Sequence, residues 1–350
     1  MSSASPRVSI ILLNWNQFDV TAACLQTLAA LSGPSYEVLV VDQASDHDEG
    51  ERLKATFPWI TLVASPTNVG FTGGNNLAMH QAKGDLVLLL NNDTEVPADF
   101  LEPLVAHFDA HPVAGVVSPK IRYFDAPDTI QYAGSHGLSE WTMRGHTIGY
   151  KEQDKGQYDM PREVALAHGA AMMIRRSVLE EIGLLAPDFF IYYEELDFCT
   201  RARRAGWAIH YIPASVVLHK ESMTVGKASP MKTEFMTRNR ITYLRRNVRG
   251  LKGLLALMFV LGAAVPVHYL RHLMAGSKEH RRAMMRGLLW HVKGNPVHRN
   301  ENLRLVNRPA YPVTVSDLNT GANPHLQQHA GYPHTVSDLN TGANPWKVAA

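Results

Sequence analysis

A short apolar strand that ends in an acidic turn constrains the fold of this chain more than any other feature. It lies within residues 68–94, which read NVGFTGGNNLAMHQAKGDLVLLLNNDT. The pattern predicts a glycine-rich turn, a helix over 73–82, and a buried strand over 86–90 that ends at Asp93. Because ligands of open α/β sheets bind outside the carboxyl ends of the strands, we expect Asp93 to lie at a ligand site. Its carboxylate suits a divalent cation that also binds phosphate oxygens.

Similar apolar segments alternate with helical patterns through the first 120 residues. Strands are predicted at 8–13, 38–41, 60–64, 86–90 and 113–117. Continuous apolar runs are typical of strands that are covered on both faces. The alternation therefore favours an α/β fold with a doubly wound parallel sheet.

Composition restricts the class of protein. The chain has 350 residues, 45% of them hydrophobic, and a net charge of +2. It can bury a sizeable core, and its charge gives no reason to expect nucleic acid as a partner. Cys24 and Cys199 are far apart in sequence, which argues against a disulfide framework or a zinc site and suits a reducing cytoplasm. The first residues lack a signal-peptide pattern, so we expect a cytoplasmic protein.

The second half is less regular. Residues 122–162 predict a long loop or a small antiparallel insert. Its aromatic and basic side chains are interpreted either as sugar-contacting residues or as ordinary loop residues: Trp141, Arg144, His146 and Tyr150. Order returns over 164–174, and a helix is predicted over 195–205 that ends at Gly206.

Seven segments form an ordered set over roughly residues 7–245. They are VSIILLNWNQ (8–17), VLVVDQASDHDEG (38–50), NVGFTGGNN (68–76), LLLNNDT (88–94), HGAAMMIRRSVLEEIGLL (168–185), FFIYYEELDFCTRARRAGW (189–207) and LHKESMT (218–224). In this set the chain resembles the inverting family 2 glycosyltransferases of the GT-A fold. It is most similar to the bacterial rhamnosyltransferase-like branch, which builds surface polysaccharides and cell wall.

The resemblance implies a catalytic domain over residues 1–245. Residues 1–120 would form the Rossmann-like nucleotide-binding half, and 121–245 the acceptor-side half. A basic helical segment is expected over 246–300, followed by an irregular tail over 301–350 that contains the repeat YPVTVSDLNTGANP (311–324) and YPHTVSDLNTGANP (332–345).

The donor site is predicted at the turns that follow the first strands. From the residues alone, Asp42 is either a nucleotide contact or a strand-end turn acid; the resemblance favours a contact with the N3–H of uracil or thymine. The glycines after Asn68 do not have the spacing of a dinucleotide fingerprint. They predict either a close approach to ribose or diphosphate or a plain turn. The resemblance assigns the nucleotide-sugar to Asn14, Asn16, Asp42, Asn68, Gly70, Gly73, Asn75, Asn92 and Gly169.

The resemblance also implies a metal cofactor. Asp93 corresponds to the last acid of a DxD-like motif, although Asn91 replaces the usual first Asp. His219 corresponds to the family's metal-binding histidine, but a histidine there could equally be a polar strand end. The expected cation is Mn²⁺ or Mg²⁺, and an imidazole ligand suits Mn²⁺ better.

An acidic cluster, YYEELD, is the candidate catalytic group. Glu194, Glu195 and Asp197 would raise one another's pKa, which suits a general base near neutrality. They would equally stabilise a helix N-terminus. By resemblance Glu195 is the base, with Glu194 and Asp197 as the alternatives, because a Glu replaces the family's usual Asp at position 195.

The segment 253–267 is free of charge and flanked by basic residues. It is shorter than a bilayer span of about 20 residues. We expect either an interfacial helix at the inner face of the plasma membrane or a helix packed in the protein or in a homo-oligomer.

The expected function is transfer of a sugar to a saccharide or lipid-linked saccharide acceptor, from dTDP-rhamnose or a UDP-hexose. Two alternatives stay open. One is a sugar-phosphate nucleotidyltransferase, which would want a Gly-rich basic signature after the first strand. The other is a non-catalytic scaffold that acts through its C-terminal basic segment and repeats.

Overall fold

The computed structural model describes residues 6–139, 145–221 and 229–293. Trp141, Arg144 and the tail over 301–350, which contains the two repeats, lie outside these ranges. The strands are β1 Val8–Asn14, β2 Tyr36–Gln43, β3 Thr61–Ser65, β4 Leu86–Leu90, β5 Thr94–Glu95, β6 Ala114–Tyr123, β7 Ile130–Tyr132, β8 Ser135–Leu138, β9 Gly145–Thr147, β10 Arg162–Glu163, β11 Ala171–Arg175 and β12 Ala208–His219. The helices are α1 Phe18–Ala29, α2 Glu49–Thr56, α3 Gly70–Met79, α4 Leu101–Ala110, α5 Arg176–Ile182, α6 Glu194–Arg204, α7 Pro230–Asn247, α8 Gly250–Phe259, α9 Val265–Met274 and α10 Lys278–Val292.

The central sheet is mixed rather than wholly parallel. Its strand order is β10-β12-β6-β11-β4-β1-β2-β3, with β5 paired to β12 and β7 paired to β6. The half from β3 to β4 is parallel, as predicted. β11, from the second half of the chain, runs antiparallel to both β4 and β6, and this makes the sheet mixed. The described residues between β6 and β11 form short strands and loops rather than the crossover helix that a parallel return requires.

The apolar runs of the sequence form the buried core. Every residue of β4 is buried, and β1 is buried over its first five residues. Leu25 and Leu28 of α1 and Leu101 and Leu104 of α4 are also fully buried in this core. Because β1, β2 and β4 are parallel neighbours, the turns that follow them meet at one edge of the sheet.

The central segment is a small antiparallel insert, as one of the two interpretations predicted. β7 pairs with β6, and β8 pairs with β9 in a separate two-stranded sheet. Buried Lys120 of β6 donates to Asp154 at 2.9 Å and ties the insert to the main sheet.

The C-terminal helices form a layer of their own. A π-helical turn, Val260–Ala264, joins α8 to α9, so that one continuous helix spans Gly250–Met274. Its 25 residues extend the charge-free segment in both directions and make it long and apolar enough to cross a bilayer, by length and composition alone. α10 packs against α7, to which it is joined by several hydrogen bonds.

Candidate active site

The side chain of Asn14 connects the carboxyl ends of β1 and β2 through a network of hydrogen bonds. Its side chain is fully buried, and its Nδ2 donates to Asp42 at 2.9 Å, to Ser45 at 3.1 Å and to Glu49 at 3.0 Å. Its Oδ1 accepts from Thr21 at 2.7 Å. With these partners Asn14 fixes the turns around a predicted donor site, and the Asp42 side chain in that site is half-buried.

Asn16 closes the same edge from the turn after β1. Its backbone has φ +52°, and its Oδ1 accepts from the backbone N–H of Asp46 at 2.6 Å. Its own N–H donates to Ser45 Oγ at 3.0 Å. The predicted residues Asn14, Asn16 and Asp42 are therefore brought together by hydrogen bonds between two turns.

The glycine-rich turn packs against the segment that leads into α6. Gly70 has φ +75°, and a Cβ there would lie 2.4 Å from the carbonyl oxygen of Phe190. The Asn68 side chain accepts from the N–H of Gly70 at 2.9 Å and shapes the turn. The close approach that Gly70 permits is thus to the protein's own backbone.

The remaining predicted residues of this turn are also engaged within the protein. A Cβ at Gly73 would lie 2.7 Å from Cβ of Val69. Asn75 is 1% exposed, and its Nδ2 donates to the carbonyl of Phe71 at 2.8 Å. These contacts stabilise the start of α3, and the plain-turn interpretation accounts for Gly73 and Asn75.

Asp93 and His219 meet where β5 pairs with the end of β12. The antiparallel register sets His219 opposite Thr94, and His219 Nε2 lies 3.2 Å from Asp93 Oδ1. Both side chains are about 5% exposed. Asp93 Oδ1 is buried and accepts no hydrogen bond from the described residues, so an unused acceptor atom lies beside the Nε2 atom of His219.

The surroundings of this pair fit a divalent cation. Gln131 Oε1 lies 2.8 Å from His219 Nδ1 and accepts its proton, so the lone pair of the imidazole is on Nε2, the nitrogen beside Asp93, where it could bind a cation. Asn91 Nδ2 is 3.5 Å from the same Nε2. Among the described residues, no group of three or more His, Cys, Asp or Glu could hold a metal, so the phosphate oxygens of a substrate and water would complete the coordination. Gln131 belongs to no recognisable motif, so the sequence did not predict that it would contact His219.

Asn92 faces away from the Asp93–His219 pair. Its Nδ2 donates to Thr21 Oγ1 at 2.8 Å and to Gln17 Oε1 at 3.3 Å, both at the start of α1. Asn92 therefore links the end of β4 to the turn that carries Asn14 and Asn16.

The acidic cluster separates into two environments. Asp197 is fully buried; its Oδ2 accepts from Arg201 at 2.8 Å, and its Oδ1 accepts from Arg246 at 2.9 Å and from Asn247 at 2.8 Å. Burial alone would raise the pKa of Asp197, but the two guanidinium groups hold it below its ordinary value. Asp197 thus stays ionised and fully engaged, which favours a structural role.

We expect Asp197→Asn to destabilise the fold by about 3 kcal/mol, because it removes the charge that pairs with two buried guanidinium groups. Urea unfolding followed by circular dichroism would measure this loss. A carboxyl with a depressed pKa stabilises the fold above its unfolded pKa, so the difference between variant and wild type should shrink as the pH falls through the pKa of Asp197 in the folded state. A variant as stable as wild type but inactive would instead favour Asp197 as the base.

Glu194 and Glu195 lie in a different environment, and no described residue is a cationic partner of either. Each has a buried Oε2 atom that accepts no hydrogen bond from the part of the chain that the structure describes. Burial, with the neighbouring Glu195 charge as a second cause, raises the pKa of Glu194 well above its ordinary value. Burial also raises the pKa of Glu195, but backbone N–H groups at the helix N-terminus partly offset this. Of the two, Glu195 is therefore the one that ionises first.

The turn 168–170 connects Glu195 to the Asp93–His219 pair. A Cβ at Gly169 would lie 4.0 Å from Glu195 Cδ. The imidazole of His168 is centred 6.2 Å from that of His219, and burial lowers its pKa to about 3, so it is neutral. The N–H of Asn91 donates to the carbonyl of Ala170 at 2.9 Å. One edge of the sheet thus carries the acid–imidazole pair and a partly desolvated carboxylate.

The backbone before Glu194 is strained. Tyr192 and Tyr193 have φ values of +71° and +77°, in the left-handed region that bulky residues rarely occupy. The Asn239 side chain donates to the carbonyls of Ile191 and Tyr192, each at 2.8 Å, and holds this conformation from α7. Such strain is typical of functional sites.

Comparison with known proteins gives one family. A model of glycosyl transferase family 2 matches residues 9–183. A low-salt glycan biosynthesis hexosyltransferase from Haloferax volcanii is 30% identical over 202 residues, which cover 56% of this chain and 62% of that protein. The N-acetylglucosaminyl-diphospho-decaprenol L-rhamnosyltransferase of Mycobacterium tuberculosis is 23% identical over 225 residues, 58% of this chain and 72% of that protein.

A solved structure shares the fold. It is the mannosyltransferase PcManGT from Pyrobaculum calidifontis in complex with GDP-Man and Mn²⁺, with a TM-score of 0.50 and 17% identity over 84% of this chain and 89% of that one. The likeness confirms the predicted GT-A fold. The chain spans 27% and 62% of the lengths of two of the curated relatives that it matches.

Proposed function

Because the chain belongs to glycosyl transferase family 2, we propose that it is an inverting glycosyltransferase of glycan or surface-polysaccharide synthesis. One observation carries the proposal: the pair of Asp93 and His219 lies beside the 168–170 turn, whose Gly169 faces the carboxyl of Glu195. A site for the diphosphate and a base for the acceptor then share one edge of the sheet.

The proposed donor is dTDP-rhamnose, with a UDP-hexose as the alternative. The Mycobacterium tuberculosis relative is named as an L-rhamnosyltransferase, which supports rhamnose. Asp42 would accept the N3–H that uracil and thymine both present, so it does not distinguish the two nucleotides. Its half-buried carboxyl is oriented by Asn14 and by the N–H of Ser45.

The proposed mechanism is a single displacement. Glu195 takes the proton of an acceptor hydroxyl while that oxygen attacks the anomeric carbon from the face opposite the diphosphate. The bond from the anomeric carbon to the diphosphate oxygen breaks, and the nucleoside diphosphate leaves. A divalent cation on Asp93 and His219, Mn²⁺ or Mg²⁺, would supply positive charge to the leaving diphosphate. Gln131 orients His219, and the neutral His168 adds no charge to the site.

Nucleoside diphosphate release from dTDP-rhamnose, UDP-glucose and GDP-mannose, with and without Mn²⁺, tests the proposal. Saturation-transfer NMR on the same donors measures binding separately. Metal-dependent release from one donor would identify it. Donor binding without release would indicate that the acceptor is missing, and neither binding nor release would favour the non-catalytic scaffold.

The acceptor is proposed to be a saccharide, free or linked to a lipid. A lipid-linked acceptor would bring the enzyme to the inner face of the plasma membrane as a peripheral protein. Self-association into a homo-oligomer stays an expectation from the sequence.

A further inference from the structure

The continuous helix Gly250–Met274 exposes apolar side chains along its whole length. Leu251 is 69% exposed, Met258 is 61% exposed and Met274 is 80% exposed. Further exposed apolar residues on the same helix are Leu254, Leu255, Phe259, Leu261, Val267, Leu270 and Leu273. Only Ala256 and Val260 of this helix are buried. Soluble monomers rarely expose so large an apolar surface unless it binds something.

The same region is strongly basic. Residues 249–293 contain eight Lys and Arg residues and one acid, Glu279, whereas the net charge of the whole chain is only +2. The positive charge is therefore concentrated on α8 to α10, and the rest of the chain is net negative. Arg249, Lys252, Arg271, Lys278 and Arg282 are all exposed. An apolar surface with this charge is complementary to a bilayer that contains anionic lipids.

A pocket of about 480 Å³ combines the two properties. Lys278, Arg281, Arg282 and Arg286 line it together with Tyr269 and Met285. Basic groups beside apolar side chains suit the phosphate and upper acyl region of a phospholipid.

The contacts of the flanking segments with α7 constrain the orientation that the helix Gly250–Met274 could take at a bilayer. α8 begins just after the C-terminal end of α7, and α10 returns to the opposite end of α7, where Thr233 Oγ1 lies 2.7 Å from His280 Nδ1. Farther along, His291 Nε2 lies 2.9 Å from the carbonyl of Arg238. Both ends of Gly250–Met274 are thus held beside α7, which packs on the catalytic domain. A transmembrane orientation would break these contacts or draw α7 into the lipid.

We propose that α8, α9 and α10 form a docking surface for an anionic phospholipid bilayer, with the helix Gly250–Met274 lying in the plane of the interface. The proposal rests on the helices alone and does not depend on the identity of the donor sugar.

Vesicle flotation with the full chain tests the charge requirement. We expect binding to phosphatidylcholine vesicles that contain phosphatidylglycerol, and about thirtyfold weaker binding for Lys278→Gln/Arg282→Gln, since each basic residue near the surface contributes a few-fold. The control Lys83→Gln/Lys155→Gln removes two exposed charges elsewhere and should bind as wild type does. Equal loss in both pairs of substitutions, or no vesicle binding by wild type, would overturn the proposal.

The depth of the helix is tested with Met258→Cys labelled by an environment-sensitive fluorophore. An in-plane helix predicts strong quenching by lipids brominated near the headgroup and weak quenching by lipids brominated near the acyl end. Strong deep quenching, with protein resistant to alkaline extraction, would instead indicate a spanning helix. Analytical ultracentrifugation that shows a dimer, together with absent vesicle binding, would assign the surface to a second copy of the chain.

Discussion

Replacing Asp93 by Asn is expected to lower kcat/KM by about 1,000-fold and to remove measurable Mn²⁺ binding. The substitution keeps the shape of a side chain that is only 5% exposed, so the fold should be preserved. Among the described residues, none donates a hydrogen bond to Asp93 Oδ1. The substitution replaces this carboxylate by an amide, which has no charge to offer a cation. Electron paramagnetic resonance of free Mn²⁺ would measure binding, and nucleoside diphosphate release would measure turnover.

The controls separate the charge of Asp93 from its surroundings. Asp99→Asn makes the same chemical change at an exposed position and should alter neither quantity. Gln131→Ala removes the group that orients His219 and should weaken Mn²⁺ binding by about 10- to 100-fold. Full Mn²⁺ affinity in Asp93→Asn would show that the cation binds elsewhere.

Local patterns predicted the parallel half of the sheet because its strands are continuous apolar runs that are buried on both faces. β4 was predicted with its observed limits, Leu86–Leu90, since polar residues bound it on both sides. The turns after β1, β2 and β4 follow from the same rule, which brings Asn14, Asp42 and Asp93 to one edge.

Such local patterns could not predict contacts between segments that are far apart in the sequence. The antiparallel direction of β11 depends on how the insert returns to the sheet. The pairing of Asp197 with Arg246 joins residues 49 positions apart. Gln131 reaches His219 across 88 positions. Propensity and periodicity report neighbours along the chain, so the partners that orient the site became visible only in the fold.

Replacing Glu195 by Gln is expected to lower kcat by about 100- to 10,000-fold while Mn²⁺ and donor binding remain. Gln keeps the length of the side chain but cannot take a proton from the acceptor hydroxyl. Single-turnover measurements with a saturating acceptor would isolate the chemical step. The result would distinguish Glu195 from Asp93, whose replacement is expected to remove cation binding.

The raised pKa of Glu195 gives two dependences on pH with opposite consequences. A base must be ionised, so kcat/KM of wild type should fall as the pH drops through a pKa that lies above the ordinary range of a glutamate. Stability has the opposite dependence on pH. Because the pKa of Glu195 in the folded state is higher than in the unfolded state, the fold loses stability as the pH rises through the folded-state pKa. Glu195→Gln removes this loss, so its urea midpoint should exceed that of wild type at neutral pH and match it in acid.

Glu194→Gln is the matched test of which acid is the base. Burial and the charge of Glu195 hold the pKa of Glu194 well above its ordinary value, so this side chain is the neutral member of the pair. A neutral amide should replace it with most of the activity retained. Because a neutral Glu194 exerts no charge repulsion on Glu195, the acidic limb of the pH profile should stay close to its wild-type position. If Glu194→Gln lost activity and Glu195→Gln retained it, the roles of the two residues would be exchanged.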